Sequence, residues 1–305
     1  MTVASCSSTV QPAASPTSHP LGPAALGDGG RIAVALKAAG TGPVGVRGGA
    51  DIVTMDPDGN HVQQLTDDPA FDACPDIGPS GTLIAFCSDR SGAFEIWLMD
   101  ADGKNQRRLT TLNGDSTFVG ISPDESRVAF CGSRGSPDDS HDIWLINVDG
   151  TGLAQLTNSP GEDDCHPVWS PDGSSILFTS ARGGLGAQLW LIKANGREEH
   201  EIPTGQNAGL DPPDWSPDGN AITYIQDGSV YVMATDGTGV RRLTQKPGID
   251  YAPAWSPRGT EIVYRHLENE VGSLRIVSVQ SGQSRSVPFT QQGLPLAPDW
   301  HTMVS

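Results

Sequence analysis

The segment CHPVWSPDGSSILFTS, residues 165–180, decides the fold of this 305-residue chain, because variants of it recur along the sequence. Its turn proline has equivalents spaced by 44, 48, 46 and 40 residues. The five positions are Pro79, Pro123, Pro171, Pro217 and Pro257. Repeats of this length are typical of four-stranded blades arranged in a ring.

Each copy predicts four short strands separated by turns. In the Pro-Asp-Gly turn, proline fixes φ and glycine accepts a left-handed conformation. A second turn contains Asp-Gly or Asn-Gly, the strongest short-range signal for a β-hairpin. This second turn lies at Asp58-Gly59, Asp102-Gly103, Asp149-Gly150, Asn195-Gly196 and Asp236-Gly237. We therefore expect an all-β fold of four-stranded antiparallel blades.

The two ends of the repeat region complement each other. Residues 28–34, DGGRIAV, match the second half of a copy, but no Pro-x-Trp strand precedes them. The missing strand is supplied at the other end of the chain by Leu296-Ala297-Pro298-Asp299-Trp300. We therefore predict a six-bladed β-propeller over residues 28–305, whose C-terminal strand completes the N-terminal blade and protects the sheet edges.

The N-terminal segment, residues 1–27, is rich in Ser, Thr, Pro and Ala and nearly free of charge. This composition favours a flexible tether. Within it, Val3-Ala4-Ser5-Cys6 resembles the end of a bacterial lipoprotein signal, whose cysteine becomes lipidated. We therefore expect a lipid anchor at Cys6 and a cell-envelope location, with secretion as the alternative.

The chain is strongly acidic, with a formal net charge of −17 at pH 7. Such a charge repels phosphate backbones, so nucleic acid is disfavoured as a partner. No apolar run approaches the ~20 residues that a membrane-spanning helix requires. We expect a monomer without a transmembrane segment.

Besides Cys6, the chain contains an even number of cysteines, as is usual where disulfides form in an oxidising compartment. They are Cys74, Cys87, Cys131 and Cys165. An unbroken hairpin register places the first two opposite each other, which predicts a cross-strand disulfide. The other two lie in neighbouring blades and predict an inter-blade disulfide. The alternative is four buried thiols that act as small hydrophobic residues.

The recurring pattern Pro-x-Trp-Ser-Pro-Asp-Gly-x-x-Ile-x-Phe resembles the WD40-like repeats of TolB-type six-bladed propellers. Its tryptophan recurs at Trp169, Trp215, Trp255 and Trp300, and Ile77 and Gly120 take this place in the two degenerate blades. TolB itself carries an additional α/β domain before its propeller. The resemblance therefore concerns the propeller alone and implies the fold rather than a Tol-Pal role.

Four blades carry an aspartate three residues before the motif proline or its equivalent. These residues are Asp72, Asp115, Asp164 and Asp250. Because the innermost strand begins there, we expect the carboxylates at one mouth of the central channel, with Asp163 and Asp211 nearby. Such a group would bind a ligand, and its oxygen atoms would suit Ca²⁺.

A structural role competes with this interpretation. Arginines follow the second strand in three of these blades and would pair with the aspartates of the same blade. They are Arg90, Arg134 and Arg182. Asp250 has no such arginine, which makes it the candidate for a free carboxylate.

His166 is the candidate catalytic histidine. It follows Asp164 at the start of the innermost strand, and His141 and Asp163 are expected to converge on it. With Asp163, Asp164 or Asp250 as a carboxylate partner, it would serve a polysaccharide lyase or hydrolase. The alternative is a loop histidine whose hydrogen bonds are satisfied within the fold.

The tryptophans recur at fixed blade positions, including Trp97, Trp144 and Trp190 on the third strand, which favours packing between blades over sugar stacking. Ligand selectivity is expected where the repeat breaks, in the connections 38–49, 135–142, 183–188 and 265–272.

The sequence contains no Gly-x-Ser-x-Gly elbow, metal triad or phosphate loop. We favour a binding or scaffold propeller that needs no cofactor and recognises a protein or cell-wall ligand at the channel mouth. The alternatives are a polysaccharide lyase or hydrolase, and a structural module stabilised by Ca²⁺.

Overall fold

The computed structural model describes residues 29–37, 49–112, 114–135, 140–182, 186–204, 211–288 and 293–302. These residues form 24 strands. Strands β1 to β12 are Arg31–Lys37, Ala50–Met55, Gln63–Gln64, Asp72–Ile77, Leu83–Ser88, Glu95–Asp100, Arg107–Arg108, Ser116–Ile121, Arg127–Gly132, Asp142–Asn147, Ala154–Gln155 and Asp164–Trp169. Strands β13 to β24 are Ser175–Ser180, Gln188–Lys193, His200–Ile202, Asp214–Trp215, Ala221–Gln226, Ser229–Ala234, Arg241–Arg242, Ile249–Trp255, Glu261–Glu268, Val271–Ser278, Ser284–Ser286 and Leu294–His301.

The strands form six four-stranded antiparallel sheets, which are the blades of a propeller. Blade 1 has the strand order β24-β1-β2-β3, and blades 2 to 6 take the remaining strands in chain order. The predicted fold class and the predicted closure by the C-terminal strand are both confirmed. Within the described ranges, no helix is long and apolar enough to cross a membrane.

The closing strand β24 is tied to the ring by hydrogen bonds and by packing. It pairs antiparallel with β1, from Arg31 opposite His301 to Lys37 opposite Leu294. Trp300 is only 1% exposed. It lies in one hydrophobic cluster with residues of blade 1 and of blade 6, so its indole joins the first blade to the last.

The turn between the first and second strands is fixed by its own side chains. In blade 4, Ser170 Oγ donates to Asp172 Oδ1 at 2.6 Å and accepts the Ser175 N–H at 3.0 Å. Gly173 adopts a φ of +69°, a conformation that glycine tolerates best. These turns lie on one face of the ring, which we call the turn face. The connections between second and third strands lie on the opposite face, the loop face.

The first strand of five blades shows a shift in register that the sequence does not predict, and in four of them the shift lies at a β-bulge with a left-handed residue. The bulge residue has a left-handed backbone, with φ near +50°, and is followed by a shift in strand register. The four bulge residues are Cys74, Phe118, His166 and Ala252. Because one extra residue is inserted, the register predicted from the turn holds only as far as the bulge.

The bulge explains why one predicted disulfide is wrong. Ile77 does pair with Ile84, as expected, but beyond the bulge Cys87 pairs with Ala73. Cys74 is thereby removed from the direct cross-strand position, and Cys74 and Cys87 are free thiols. The inter-blade disulfide between Cys131 and Cys165 is present.

The register also corrects the alignment of blade 3. Ile121 pairs with Val128, as Trp169 pairs with Ile176 in blade 4. Ile121, rather than Gly120, therefore occupies the tryptophan position. By the same register Ser116, rather than Asp115, lies opposite the end of the second strand.

Removal of the inter-blade disulfide is expected to destabilise the ring. The Cys131–Cys165 bond closes a loop with a sequence separation of 34 residues. Loss of such a constraint costs about 4 kcal/mol, so the double variant Cys131→Ala/Cys165→Ala is expected to have a free energy of unfolding lower by that amount and to unfold at a lower urea concentration. Dithiothreitol should shift the wild-type midpoint equally and leave the double variant unchanged. A midpoint that still responds to reductant in the double variant would contradict this expectation.

Candidate functional site

Two of the predicted aspartate–arginine pairs are present in the structure. Arg90 Nη2 lies 2.7 Å from Asp72 Oδ2 and also contacts Asp68. Arg182 Nη2 lies 2.5 Å from Asp164 Oδ2 and also contacts Glu199. Both aspartate side chains are fully buried. The two guanidinium groups also stack over tryptophans of the third strand. These aspartates therefore hold the ends of the strands together within their blades.

The prediction for Asp115 is wrong. Ser116 occupies the position that Asp72 and Asp164 hold in their blades, at the first residue of the first strand. Asp115 precedes that strand by one residue. Asp115 Oδ1 accepts the Phe94 N–H at 3.1 Å. Arg134, its expected partner, donates instead to Gln155 Oε1 at 2.8 Å.

Asp250 is not a free carboxylate. His266 Nδ1 lies 2.6 Å from Asp250 Oδ1, and Thr244 Oγ1 donates to Asp250 Oδ2. Both side chains of the His266–Asp250 pair are buried. His266 lies opposite Asp250 in the strand register. The sequence analysis did not predict this pair, because it considered only arginine as a partner.

The expected histidine–carboxylate centre is not assembled. His166 is buried, its Nδ1 lies 2.9 Å from Thr179 Oγ1, and its ring centroid lies 4.0 Å from that of Phe118. Burial lowers the pKa of His166 to about 3, so the imidazole is neutral at physiological pH. Asp163 accepts a hydrogen bond from the His141 N–H at 2.8 Å. His141 and Asp163 therefore pair with each other and do not converge on His166.

The remaining predicted positions divide into two groups. Asp211 is half-buried, and burial raises the pKa of its carboxyl to about 6 even though the Ala252 backbone N–H donates to it. Cys6, the tether 1–27, and most of the connections 38–49, 135–142 and 183–188 lie outside the described residues. The connection 265–272 is the end of a hairpin formed by β21 and β22.

Three aspartates that the sequence analysis did not single out line both cavities along the propeller axis. Each accepts the backbone N–H at the tryptophan position of the next blade. Asp299 binds Ile77 N at 2.7 Å, Asp76 binds Ile121 N at 2.8 Å, and Asp214 binds Trp255 N at 2.7 Å. We call these three residues the waist carboxylates. In the sequence, all three follow a proline and precede the tryptophan position, so the middle residue of the Pro-x-Trp pattern is aspartate in these blades.

Burial favours the protonated form of all three waist carboxyl groups. Burial raises the pKa of Asp214 to about 8, with a further contribution from the charge of Asp299. Burial, followed by the charge of Asp299, raises the pKa of Asp76 well above its ordinary value. Burial also raises the pKa of Asp299. Three ionised carboxylates around one channel would repel one another, and protonation removes that repulsion.

The waist divides the channel into two chambers of different size. The chamber on the loop face has a volume of about 80 Å³ and is lined by the bulge residues Cys74, Phe118 and His166. The chamber on the turn face has a volume of about 410 Å³. Its wall contains five turn prolines and four tryptophans, and the waist carboxylates form its floor. The sequence analysis predicted ligand binding at the loop face. The larger chamber lies on the opposite face, the turn face.

Aspartates occupy the rim of the turn-face chamber after three of its lining prolines, whereas Arg258 follows Pro257. Asp124, Asp172 and Asp218 follow three of the lining prolines and are exposed. Hydrogen bonds from the turn serine lower the pKa of each carboxyl, to about 2 for Asp124, so all three are ionised at neutral pH. Among the described residues, no group of three or more His, Cys, Asp or Glu side chains is arranged to hold a metal ion.

The fold and the channel define the class of this protein as a six-bladed β-propeller with an acidic axial channel. The family model PD40, described as the TolB beta propeller domain, matches residues 117–303. The chain belongs to this family of TolB β-propeller domains.

Similar proteins agree with this assignment. A "Protein TolB homolog" of Chlorobium luteolum is 28% identical over 144 residues, which are 47% of this chain and 33% of the relative. The chain thus spans about a third of that relative's length. The crystal structure of TolB from Acinetobacter baumannii is 23% identical, with a TM-score of 0.74 over 89% of this chain and 66% of the other. A putative TolB from Agrobacterium tumefaciens is 19% identical, with a TM-score of 0.65 over 90% and 92% of the two chains. At these identities the two structures support the fold alone.

Proposed function

We propose that this propeller is an extracytoplasmic protein of the cell envelope that binds a basic, extended segment of a partner protein in the turn-face chamber. The observation that carries the proposal is a cavity of about 410 Å³ with carboxyl groups on its floor. Its volume lies within the range of about 300–1,000 Å³ that is usual for ligand pockets. The family assignment supports a binding role without identifying the partner.

The charges around the chamber favour a cation over an anion. The rim carboxylates Asp124, Asp172 and Asp218 would attract a basic segment from solution. A lysine or arginine side chain entering the chamber would place its aliphatic part against proline and tryptophan. Its charged end would then face the waist carboxylates, which can release a proton when a cation arrives.

The Cys131–Cys165 disulfide supports the proposed compartment, because disulfides persist mainly in oxidising surroundings. A lipid on Cys6 would place the propeller at a membrane surface, and the tether 1–27 would separate the two. We include this anchor in the proposal. Mass spectrometry of native protein would test it, and an unmodified Cys6 would leave secretion as the route.

Charge reversal at the rim is expected to weaken binding of a basic peptide. We would use a fluorescein-labelled decapeptide of alternating lysine and proline as the probe, and measure its anisotropy with the full chain. The double variant Asp172→Lys/Asp218→Lys should lower the affinity about tenfold, which corresponds to about 1.4 kcal/mol. The effect should diminish with added salt, because exposed charges are screened.

A matched control separates the chamber from the overall acidity of the chain. Asp149 and Asp236 are exposed turn aspartates in hairpins between third and fourth strands, and neither adjoins a residue of the chamber wall. The variant Asp149→Lys/Asp236→Lys changes the net charge equally and should alter affinity by less than about threefold. Equal losses in both double variants, or equal binding of a glutamate–proline decapeptide, would contradict the proposal.

A further inference from the structure

We propose that His266 is a pH-dependent latch that fastens the tip of the β21–β22 hairpin on the loop face by binding Glu268. The latch involves no residue of the turn-face chamber wall, so it is independent of the function proposed above. It consists of a buried imidazole with one ring nitrogen committed to Asp250 and the other facing Glu268.

The β21–β22 hairpin differs from the corresponding hairpins of blades 2 to 5. Both of its strands have eight residues, whereas the second and third strands of those blades have six. Its two-residue turn, Asn269-Glu270, is left-handed at both positions, as a type I′ turn requires. Val271 follows the turn and is 68% exposed. The hairpin tip is therefore a defined strand end that presents an apolar side chain to solvent.

One side of the His266 ring is fixed. Its Nδ1 lies 2.6 Å from Asp250 Oδ1, and Thr244 Oγ1 donates to the other oxygen of this carboxylate. The side chains of His266 and Asp250 are each 4% exposed. Gly248 packs so closely against the ring that a Cβ at this position would collide with His266 Cε1. Because a carboxylate only accepts, Nδ1–H donates to Asp250, and the ring has no room to turn away.

The other ring nitrogen, Nε2, is buried and has no hydrogen-bond partner in the part of the chain that the structure describes. Glu268 Oε2 lies 3.5 Å from it. When His266 is neutral, the Nε2 lone pair faces this carboxylate, and the contact is repulsive. When the ring takes up a proton, Nε2–H donates to Glu268 in a charge-assisted hydrogen bond. Protonation thus supplies the partner that the buried nitrogen lacks.

Glu268 has a second cationic neighbour, which gives the latch an open position. Arg275 Nη2, on β22, lies 3.9 Å from Glu268 Oε2. The Glu268 side chain is 38% exposed, so solvent leaves it free to move between the two partners. Protonated His266 holds the carboxylate at the end of β21, and neutral His266 releases it to Arg275 and water. The tip should therefore be fastened in mild acid and loosen as the pH rises.

The other ionisable neighbours of the ring do not respond in the same pH range. Tyr264 meets the His266 ring edge to face, with centroids 6.4 Å apart, and burial raises the pKa of its hydroxyl. Lys246 Nζ donates to the carbonyl of Gly248 at 3.2 Å. Tyrosine, lysine and arginine ordinarily change charge only above about pH 10. Histidine does so between about pH 5 and 8, which assigns a response in that range to His266.

The experiment is hydrogen exchange of the full chain at pH 5.5 and pH 8, corrected for the pH dependence of the intrinsic exchange rate. The amides to follow are those of Glu268 and Val271, which face each other at the end of the β21–β22 ladder. Their protection should be about fivefold higher at pH 5.5, the effect of one partly exposed ion pair. NMR of ¹⁵N-histidine-labelled protein should show both His266 ring nitrogens protonated at pH 5.5 and Nδ1 alone at pH 8.

Two variants of one hairpin separate the latch from a general effect of charge. Glu268→Gln removes the carboxylate that binds Nε2 and should abolish the difference in protection between the two pH values. Glu270→Gln removes the same charge from the exposed turn two residues away and should keep the difference. Both positions are accessible to solvent, so both variants should fold, and circular dichroism checks this. Equal protection at both pH values in the wild type, or a pH response that persists in Glu268→Gln, would overturn the proposal.

Discussion

Replacement of Trp300 by alanine is expected to lower the free energy of unfolding by about 4 kcal/mol. Removal of a fully buried aromatic side chain typically costs about 3–5 kcal/mol, because the transfer free energy is lost and a cavity remains. Trp300 is 1% exposed and packs between the first and last blades, so the cavity would form at the joint that closes the ring. Urea unfolding followed by tryptophan fluorescence and circular dichroism measures the change.

The control for this variant is Val271→Ala at the tip of the β21–β22 hairpin. Val271 is 68% exposed, so its truncation should change stability by less than about 0.5 kcal/mol. Coincident transitions in both spectroscopic probes would show that the ring still unfolds as one unit. A loss below about 1 kcal/mol for Trp300→Ala would mean that the closing strand contributes little to the stability of the ring.

Replacement of Asp214 by asparagine is expected to stabilise the protein at alkaline pH. The pKa of Asp214 rises from 3.8 to about 8 in the fold, so the folded chain retains a proton that the unfolded chain releases. The stabilising contribution of Asp214 is therefore complete below pH 3.8 and is lost as the pH rises through 8. Asparagine keeps an acceptor for the Trp255 N–H and carries no charge. At pH 9, above both pKa values, the gain should be about 6 kcal/mol, and near pH 4 it should be small.

Asp218 provides a control of opposite sign four residues further along the chain. A hydrogen bond from Ser216 lowers the pKa of Asp218, so its stabilising contribution is present above its unfolded pKa and is lost as the pH falls through the folded value. Asp218→Asn should therefore destabilise the protein at neutral and alkaline pH, and the difference should shrink in acid. If Asp214→Asn and Asp218→Asn had parallel pH profiles, the waist would not hold the proton assigned to it.

The repeat predicted the architecture because turns and apolar strands are local features with distinct residue types. Blade number, strand order and closure followed from the spacing of turn prolines and from the match between the two ends of the chain. The bulges were not predictable in this way. The bulge positions are occupied by Cys74, Phe118, His166 and Ala252. Unlike glycine, none of these residue types indicates a left-handed backbone.

The errors at the candidate site follow from those bulges, from the alignment of blade 3 and from long-range pairing. The bulge separated Cys74 from Cys87 in the strand register. Asp115 was misplaced because the degenerate blade 3 was aligned one residue off, with Gly120 instead of Ile121 at the tryptophan position. The partner of Asp250 was missed because His266 replaces the expected arginine. The waist carboxylates were readable as Pro-Asp before an apolar residue, but their importance depends on the backbone N–H groups of the next blade, which only the closed ring brings within reach.

The distribution of the waist carboxylates has a consequence for orientation. A ring of six similar blades would offer a ligand on its axis six equivalent ways to dock. At the waist position, however, blades 1, 2 and 5 carry Asp299, Asp76 and Asp214, whereas blades 3, 4 and 6 carry Gly120, Val168 and Ala254. No rotation by a whole number of blades maps this pattern onto itself. The nearly symmetric scaffold thus encloses a chiral arrangement of carboxyl groups, which makes the six rotational settings of an axial ligand inequivalent.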